Sequence, residues 1–130
     1  MISYGKQSID NDDIDAVKKV LEGDWLTQGP SVEKFEDTLK SYFGSKYACA
    51  VSNGTAALHL AGVALGWEKS DIVVTSPNTF LASSNSIIYS GAIPDFVDID
   101  SESFNIDVNK LEDKIKSILS SSKKLAAVIA

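Results

Sequence analysis

The sequence predicts an α/β fold in which helices pack over a mostly parallel sheet. Two observations carry this. From Tyr47 onward, apolar runs of strand length alternate with runs of helical periodicity, joined by short connections. In addition, the run of small apolar residues from Cys49 to Gly66, CAVSNGTAALHLAGVALG, breaks at Ser52-Asn53-Gly54-Thr55 and then resumes. A strand that turns directly into a helix reads this way, and crossovers of this kind are right-handed.

The elements follow in order. Asp10-Asn11-Asp12-Asp13 supplies N-cap chemistry and negative charge for a first helix, and Ile14, Val17, Val20 and Leu21 recur at helical spacing up to Gly23. DWLTQGP is a loop whose Pro30 opens a second helix. That helix carries Val32, Phe35, Leu39, Tyr42 and Phe43 on one stripe and stops at Gly44. Then strand Tyr47–Val51 leads to helix Thr55–Leu65, and strand Ile72–Thr75 leads through Ser76-Pro77-Asn78-Thr79 to a helix near Phe80–Tyr89. Strand Ile93–Ile99, interrupted by Pro94, leads to a helix starting near Asp107 or Val108, with Leu111, Ile115, Ile118 and Leu119 on one face. A last strand fills KKLAAVIA. It ends on Ala130 without a turn signal or polar tail, and termini are normally solvated, so the natural protein is expected to continue beyond this point.

The chain of 130 residues is long enough for one domain. Its net charge is −6, and its twelve cations are scattered lysines with no arginine, which argues against a nucleic-acid groove and against an anionic membrane surface. There is no signal peptide pattern and no apolar run of membrane-spanning length, so a cytoplasmic location is expected. The single cysteine, Cys49, falls in the first strand and is expected to be a buried structural thiol. His59, the only histidine, lies about one turn into an apolar helix and is expected to pack or hydrogen-bond there.

In parallel sheets, ligands bind beyond the carboxyl ends of the strands. Ser52–Thr55, Ser76–Thr79 and the region after Ile99 would all lie at that edge. The first is suited to an anion, because the unpaired N–H groups of a first helical turn converge there and the helix dipole favours negative charge. The dinucleotide and Walker fingerprints are both absent. FVDIDSES has Glu102 where an aspartyl-phosphate motif wants a small hydroxyl residue. It also fails as a calcium loop, with Ser103 at the glycine position and Asn109 at the bidentate glutamate position. Asp98 and Asp100 therefore read as caps and turn residues, and no metal site is expected.

The segments WLTQGP, VEKFEDTLKSYFG, YACAVSNGTAALHLA, SPNTFLASSNSIIYSGAIPDFVDID and FNID occur in this order at natural spacings. In this the chain closely resembles the N-terminal half of the large domain in the DegT/StrS family of pyridoxal-phosphate-dependent nucleotide-sugar aminotransferases, from about Tyr4 to Ala130. YGKQSIDNDDID and YACAVSNGTAALHLA look most like the branch that aminates C4 of a UDP-linked keto-deoxy sugar on the way to pseudaminic acid.

The resemblance implies a three-layer α-β-α large domain of the aspartate-aminotransferase type, truncated here. Residues 1–45 would supply N-terminal helices and a substrate loop, and residues 46–130 the alternating strand-helix cofactor core. It implies pyridoxal 5'-phosphate as cofactor, with Gly54, Thr55 and Ala56 as its phosphate cradle and Phe80 stacked on its ring. Trp25, Leu26, Thr27 and Gln28 would form the loop that meets the sugar, and Tyr4 and Lys6 would lie in an N-terminal strap near the nucleotide. The partners implied are a nucleotide sugar, an amino-acid donor (L-glutamate) and a second subunit of a homodimer with shared active sites. The family's Schiff-base lysine and the aspartate that pairs with the pyridine nitrogen are expected beyond Ala130, so no catalytic residue is assigned here and the 130 residues alone are expected to be inactive. Two alternatives stand beside this reading: a dehydratase of the same family, in which histidine replaces the lysine, and a non-catalytic domain that binds the cofactor or a nucleotide sugar.

Overall fold

The computed structural model describes residues 5–130, and Met1–Tyr4, including the strap residue Tyr4, lie outside the described residues. The chain forms two compact units that divide between Ala50 and Val51.

The first unit holds two helices. α1 (Asn11–Leu21) starts at Asp10, whose carboxylate accepts from the amides of Asp12 and Asp13 while Asp13 accepts from the Asp10 amide. This reciprocal cap satisfies donors that would otherwise face water, and Lys18 and Lys19 sit at the opposite end of the helix dipole. α2 (Pro30–Phe43) opens on a proline that gives up no helical hydrogen bond and closes on Gly44. Neither helix buries a residue of its own, and Ile14, Val17, Leu21, Phe35 and Phe43 are exposed.

The strand expected over Tyr47–Val51 is not formed. A strand needs a hydrogen-bonded neighbour, and this segment has none among the described residues. Its one anchor across the unit is the Ala50 amide, which donates to Glu36 Oε1 at 2.8 Å. Cys49 is accordingly exposed rather than buried.

The second unit is a three-layer α-β-α sandwich. Its elements are α3 (Gly54–Ala64), β1 (Asp71–Thr75), α4 (Ala82–Tyr89), β2 (Ile93–Phe96), α5 (Val108–Leu119) and β3 (Lys124–Ile129). The three strands are parallel in the order β2-β1-β3. β1 is central and buried along its whole length. Alternate residues of a strand face opposite sides of the sheet, and the core divides accordingly. Val73 packs with Trp67, Ile87 and Ala92 on one face, and Ile72 and Val74 pack with Val97 and Ile118 on the other. Pro94 is tolerated because β2 lies at the sheet's edge. The ladder continues one step past β2, where the Val97 amide donates to the Thr75 carbonyl at 3.0 Å.

Where the sheet begins, Asp71 is buried and takes Lys124 Nζ at 2.9 Å and the Glu68 amide at 3.1 Å, which pins β3 against β1. The hydrogen bond from Lys124 is the main cause that holds the Asp71 carboxyl below the usual carboxylate range. A depressed folded-state pKa contributes stability that is present above the ordinary carboxylate pKa and is lost as pH falls through the folded value. Asp71→Asn is therefore expected to lower the urea midpoint at neutral pH and to flatten its decline below about pH 4. Parallel midpoints for the two proteins across that range would contradict this role.

Candidate functional site

The carboxyl end of β1 runs into Ser76-Pro77-Asn78-Thr79 and then Phe80. Ser76 Oγ accepts from the Asn78 amide at 3.2 Å, and Thr79 Oγ1 and Ser83 Oγ lie 3.1 Å apart. The loop after Ile99 meets this one, since Asn78 Nδ2 donates to the Phe104 carbonyl at 3.4 Å. α4 begins only at Ala82, so Phe80 stands before the helix and is 75% exposed, which removes it from the core.

α3 supplies the opposite wall. Asn53, in extended backbone, caps it by accepting the Ala56 amide on Oδ1 at 2.9 Å. The Ala57 amide donates to the Asn53 carbonyl at 3.1 Å. Among the described residues, the amides of Gly54 and Thr55 and the Thr55 hydroxyl have no hydrogen-bond partner, and α3 carries no acid in its first turn. A cavity of about 690 Å³ lies here, lined among others by Asn53, Gly54, Thr55, Leu58 and Phe80. Gly54, Thr55 and Phe80 thus share one cleft, while the Ala56 amide is turned inward to its cap.

The acids near the sheet's edge serve their own loops. The Ser103 amide, foremost, and the Glu102 amide hold the Asp100 carboxyl below its ordinary range. The Ile99 amide and Lys110 do the same for Asp98. Asp107 caps α5 through the amides of Asn109 and Lys110. His59 meets the Tyr89 ring edge-on at 5.8 Å, its carbonyl accepts from Ser90 Oγ at 3.5 Å, and it does not line the cavity. No lysine lines that cavity either, and Lys110, Lys114 and Lys124 are held by Asp98 and Asp107, Asp95, and Asp71 respectively.

Within the first unit, Trp25 and Gln28 line a separate cavity of about 640 Å³ with Gly29, Pro30, Val32, Glu33 and Glu36, whereas Leu26 and Thr27 are not part of its wall. Gln28 adopts a left-handed backbone, with φ of 52°. Gly29 lies so close to Trp25 that a Cβ there would come within 2.7 Å of the Trp25 Cβ. The loop is a tight turn folded onto its own tryptophan. Lys6 is exposed. Among the described residues no helix is long and apolar enough to cross a membrane.

The model of the DegT/DnrJ/EryC1/StrS aminotransferase family matches residues 7–128. A UDP-4-amino-4,6-dideoxy-N-acetyl-beta-L-altrosamine transaminase of Campylobacter jejuni is 46% identical over 115 residues, which is 88% of this chain and 30% of that protein. A Streptococcus pneumoniae protein described as a sugar aminotransferase, solved in its PLP form, superposes with a TM-score of 0.77 at 30% identity, over 86% of this chain and 29% of that one. The Escherichia coli GDP-4-keto-6-deoxy-D-mannose-3-dehydratase with bound hydrated PLP does so with a TM-score of 0.77 at 30% identity, over 87% of this chain and 31% of that one. The chain therefore spans about three-tenths of the length of these relatives. With the family matched over nearly its whole length and the α-β-α layers shared with solved members, the chain belongs to the DegT/DnrJ/EryC1/StrS aminotransferase family.

Proposed function

We propose that the intact protein moves an amino group from an amino acid, L-glutamate, through pyridoxal 5'-phosphate to the keto group of a nucleotide-linked deoxy sugar. C4 of a UDP-linked 4-keto-6-deoxy sugar is the position favoured by the likeness to the Campylobacter jejuni transaminase. The observation that carries this reading is the cleft shared by Thr55 and Phe80, with two unpaired amides and an unpaired hydroxyl at the start of a helix free of acids. These residues fit the cofactor. Gly54 and Thr55 would hold the phosphate through their amides, aided by the Thr55 hydroxyl and the positive end of the helix dipole. Ala56 would join through its amide only if Asn53 released it. Phe80 would lie against the ring face, fixing its plane and keeping water from it.

When bound, this cofactor supplies an electron sink for cleavage of a bond at the amino-bearing carbon. No lysine to move the proton and no acid to face the pyridine nitrogen is proposed among these residues. A lysine activated for that work needs a desolvated setting, and Lys110, Lys114 and Lys124, each held by a carboxylate, do not provide one. Trp25, Leu26, Thr27 and Gln28 are proposed to meet the sugar nucleotide, and the protein to act as a homodimer with shared sites in the cytoplasm.

The test is amino transfer by the intact protein, with glutamate and a UDP-linked 4-keto-6-deoxy sugar, followed by sedimentation of the active species. The expected result is an aminated sugar and 2-oxoglutarate from a dimer, with no turnover by residues 1–130 alone. Loss of the sugar's C3 hydroxyl without amination would establish the dehydratase instead. Binding without turnover would establish a non-catalytic domain, and an active monomer would refute the shared site.

A further inference from the structure

Among the described residues, three helices are capped by a side chain, and the caps differ in charge. Asp10 caps α1 and Asp107 caps α5, whereas α3 is capped by the neutral Asn53. Aspartate and asparagine cap about equally well, and a carboxylate also gains from the helix dipole, so the stability of α3 alone gives no reason to prefer asparagine. The surroundings of Asn53 do. It lines the cavity that holds Gly54, Thr55 and Phe80. Its Oδ1 engages the Ala56 amide at 2.9 Å and its Nδ2 lies 3.1 Å from Ser52 Oγ, so its amide group is held at both ends. The amides it leaves open, those of Gly54 and Thr55, lie beside the free Thr55 hydroxyl.

We propose that Asn53 is a positioning and specificity-determining residue for the phosphate group. It caps α3 without adding charge, and so keeps the Gly54 and Thr55 amides and the Thr55 hydroxyl fixed and open to a dianion that a carboxylate here would repel. This rests on the cradle reading given above. It also means that the Ala56 amide stays with Asn53 when the anion is bound.

The test uses the intact protein and its variants Asn53→Asp and Asn53→Ser, titrated separately with pyridoxal phosphate and with pyridoxal, which lacks the phosphate. Ligand-free unfolding midpoints are measured alongside. Asn53→Asp is expected to keep or raise the midpoint, to bind pyridoxal as the unaltered protein does, and to bind pyridoxal phosphate at least about tenfold more weakly, because a new unit charge then faces a dianion within a few ångströms. Asn53→Ser, a neutral cap, is expected to retain the preference for the phosphorylated form. Unchanged affinity of Asn53→Asp for pyridoxal phosphate, an equal loss toward both compounds, or loss of the preference in Asn53→Ser would overturn the proposal. An unaltered protein with no preference for pyridoxal phosphate over pyridoxal would instead remove the cradle reading, and this inference with it.

Discussion

Thr55→Val is expected to weaken retention of pyridoxal phosphate by the intact protein by about 1.5–3 kcal/mol, the range for a hydrogen bond to a charged group. At about 1.4 kcal/mol per decade this is roughly a ten- to 150-fold rise in Kd. The substitution isolates the hydroxyl. Valine matches threonine in shape and branching, Thr55 is only half-buried in the first turn of α3, and the two residues have similar helix propensities. The hydroxyl has no partner among the described residues, so its removal orphans none of their groups. Equilibrium dialysis followed by absorbance measures the effect. An unchanged Kd would take the hydroxyl out of the cradle and leave the Gly54 and Thr55 amides as its only members.

The second large effect is on stability. Gly62 is the buried residue of α3, and a Cβ built there would overlap Ser90 Oγ and lie 2.6 Å from Trp67 Cε3. This close approach lets α3 and α4 pack against each other. Gly62→Val replaces a poor helix former, which by itself favours the variant by a few tenths of a kcal/mol. Against that stand the clash with a rigid indole and the displacement of Ser90, and overpacking of a filled site costs about 1–3 kcal/mol. The clash wins, and a net loss of about 1–3 kcal/mol is expected as a lower urea midpoint with little change in slope. Since α3 also carries Thr55, the variant should lose cofactor affinity in proportion to its loss of fold. A midpoint equal to that of the unaltered protein would show that the helices separate without cost.

Local signals in the sequence account for most of the fold. Asp10, Pro30, Gly44, Asn53 and Asp107 mark helix boundaries by chemistry that acts within a few residues, and the structure places α1, α2, α3 and α5 within a residue or two of them. The alternation of Ile72, Val73 and Val74 between two cores is likewise a property of the strand itself. Tyr47–Val51 is different. Its apolar pattern states a capacity to pair, but pairing depends on a neighbour that local sequence does not name, and without one both the strand and the burial of Cys49 are lost.

The candidate site divides in the same way. The meeting of Thr55 with Phe80 follows from two loops at helix starts, which the sequence marks plainly. That Asn53 holds the Ala56 amide was legible in principle, because an asparagine directly before a helix is a cap before it is anything else. That Phe80 lies outside the core was not legible, because a phenylalanine beside a helical run reads the same whether the helix begins at Phe80 or at Ala82. Nor could sequence separate Trp25 and Gln28, which share a cavity, from Leu26 and Thr27, which do not. That division comes from the left-handed turn at Gln28 and the close approach of Gly29 to Trp25.

The most direct test of the assignment is a crystal structure of the intact protein grown with pyridoxal phosphate. The phosphate oxygens are expected within about 2.7–3.2 Å of the Gly54 and Thr55 amides and of Thr55 Oγ1. The Phe80 ring should lie against the face of the pyridine, and Asn53 should still hold the Ala56 amide. A phosphate bound away from the start of α3, or a cofactor ring that leaves Phe80 untouched in solvent, would contradict the assignment.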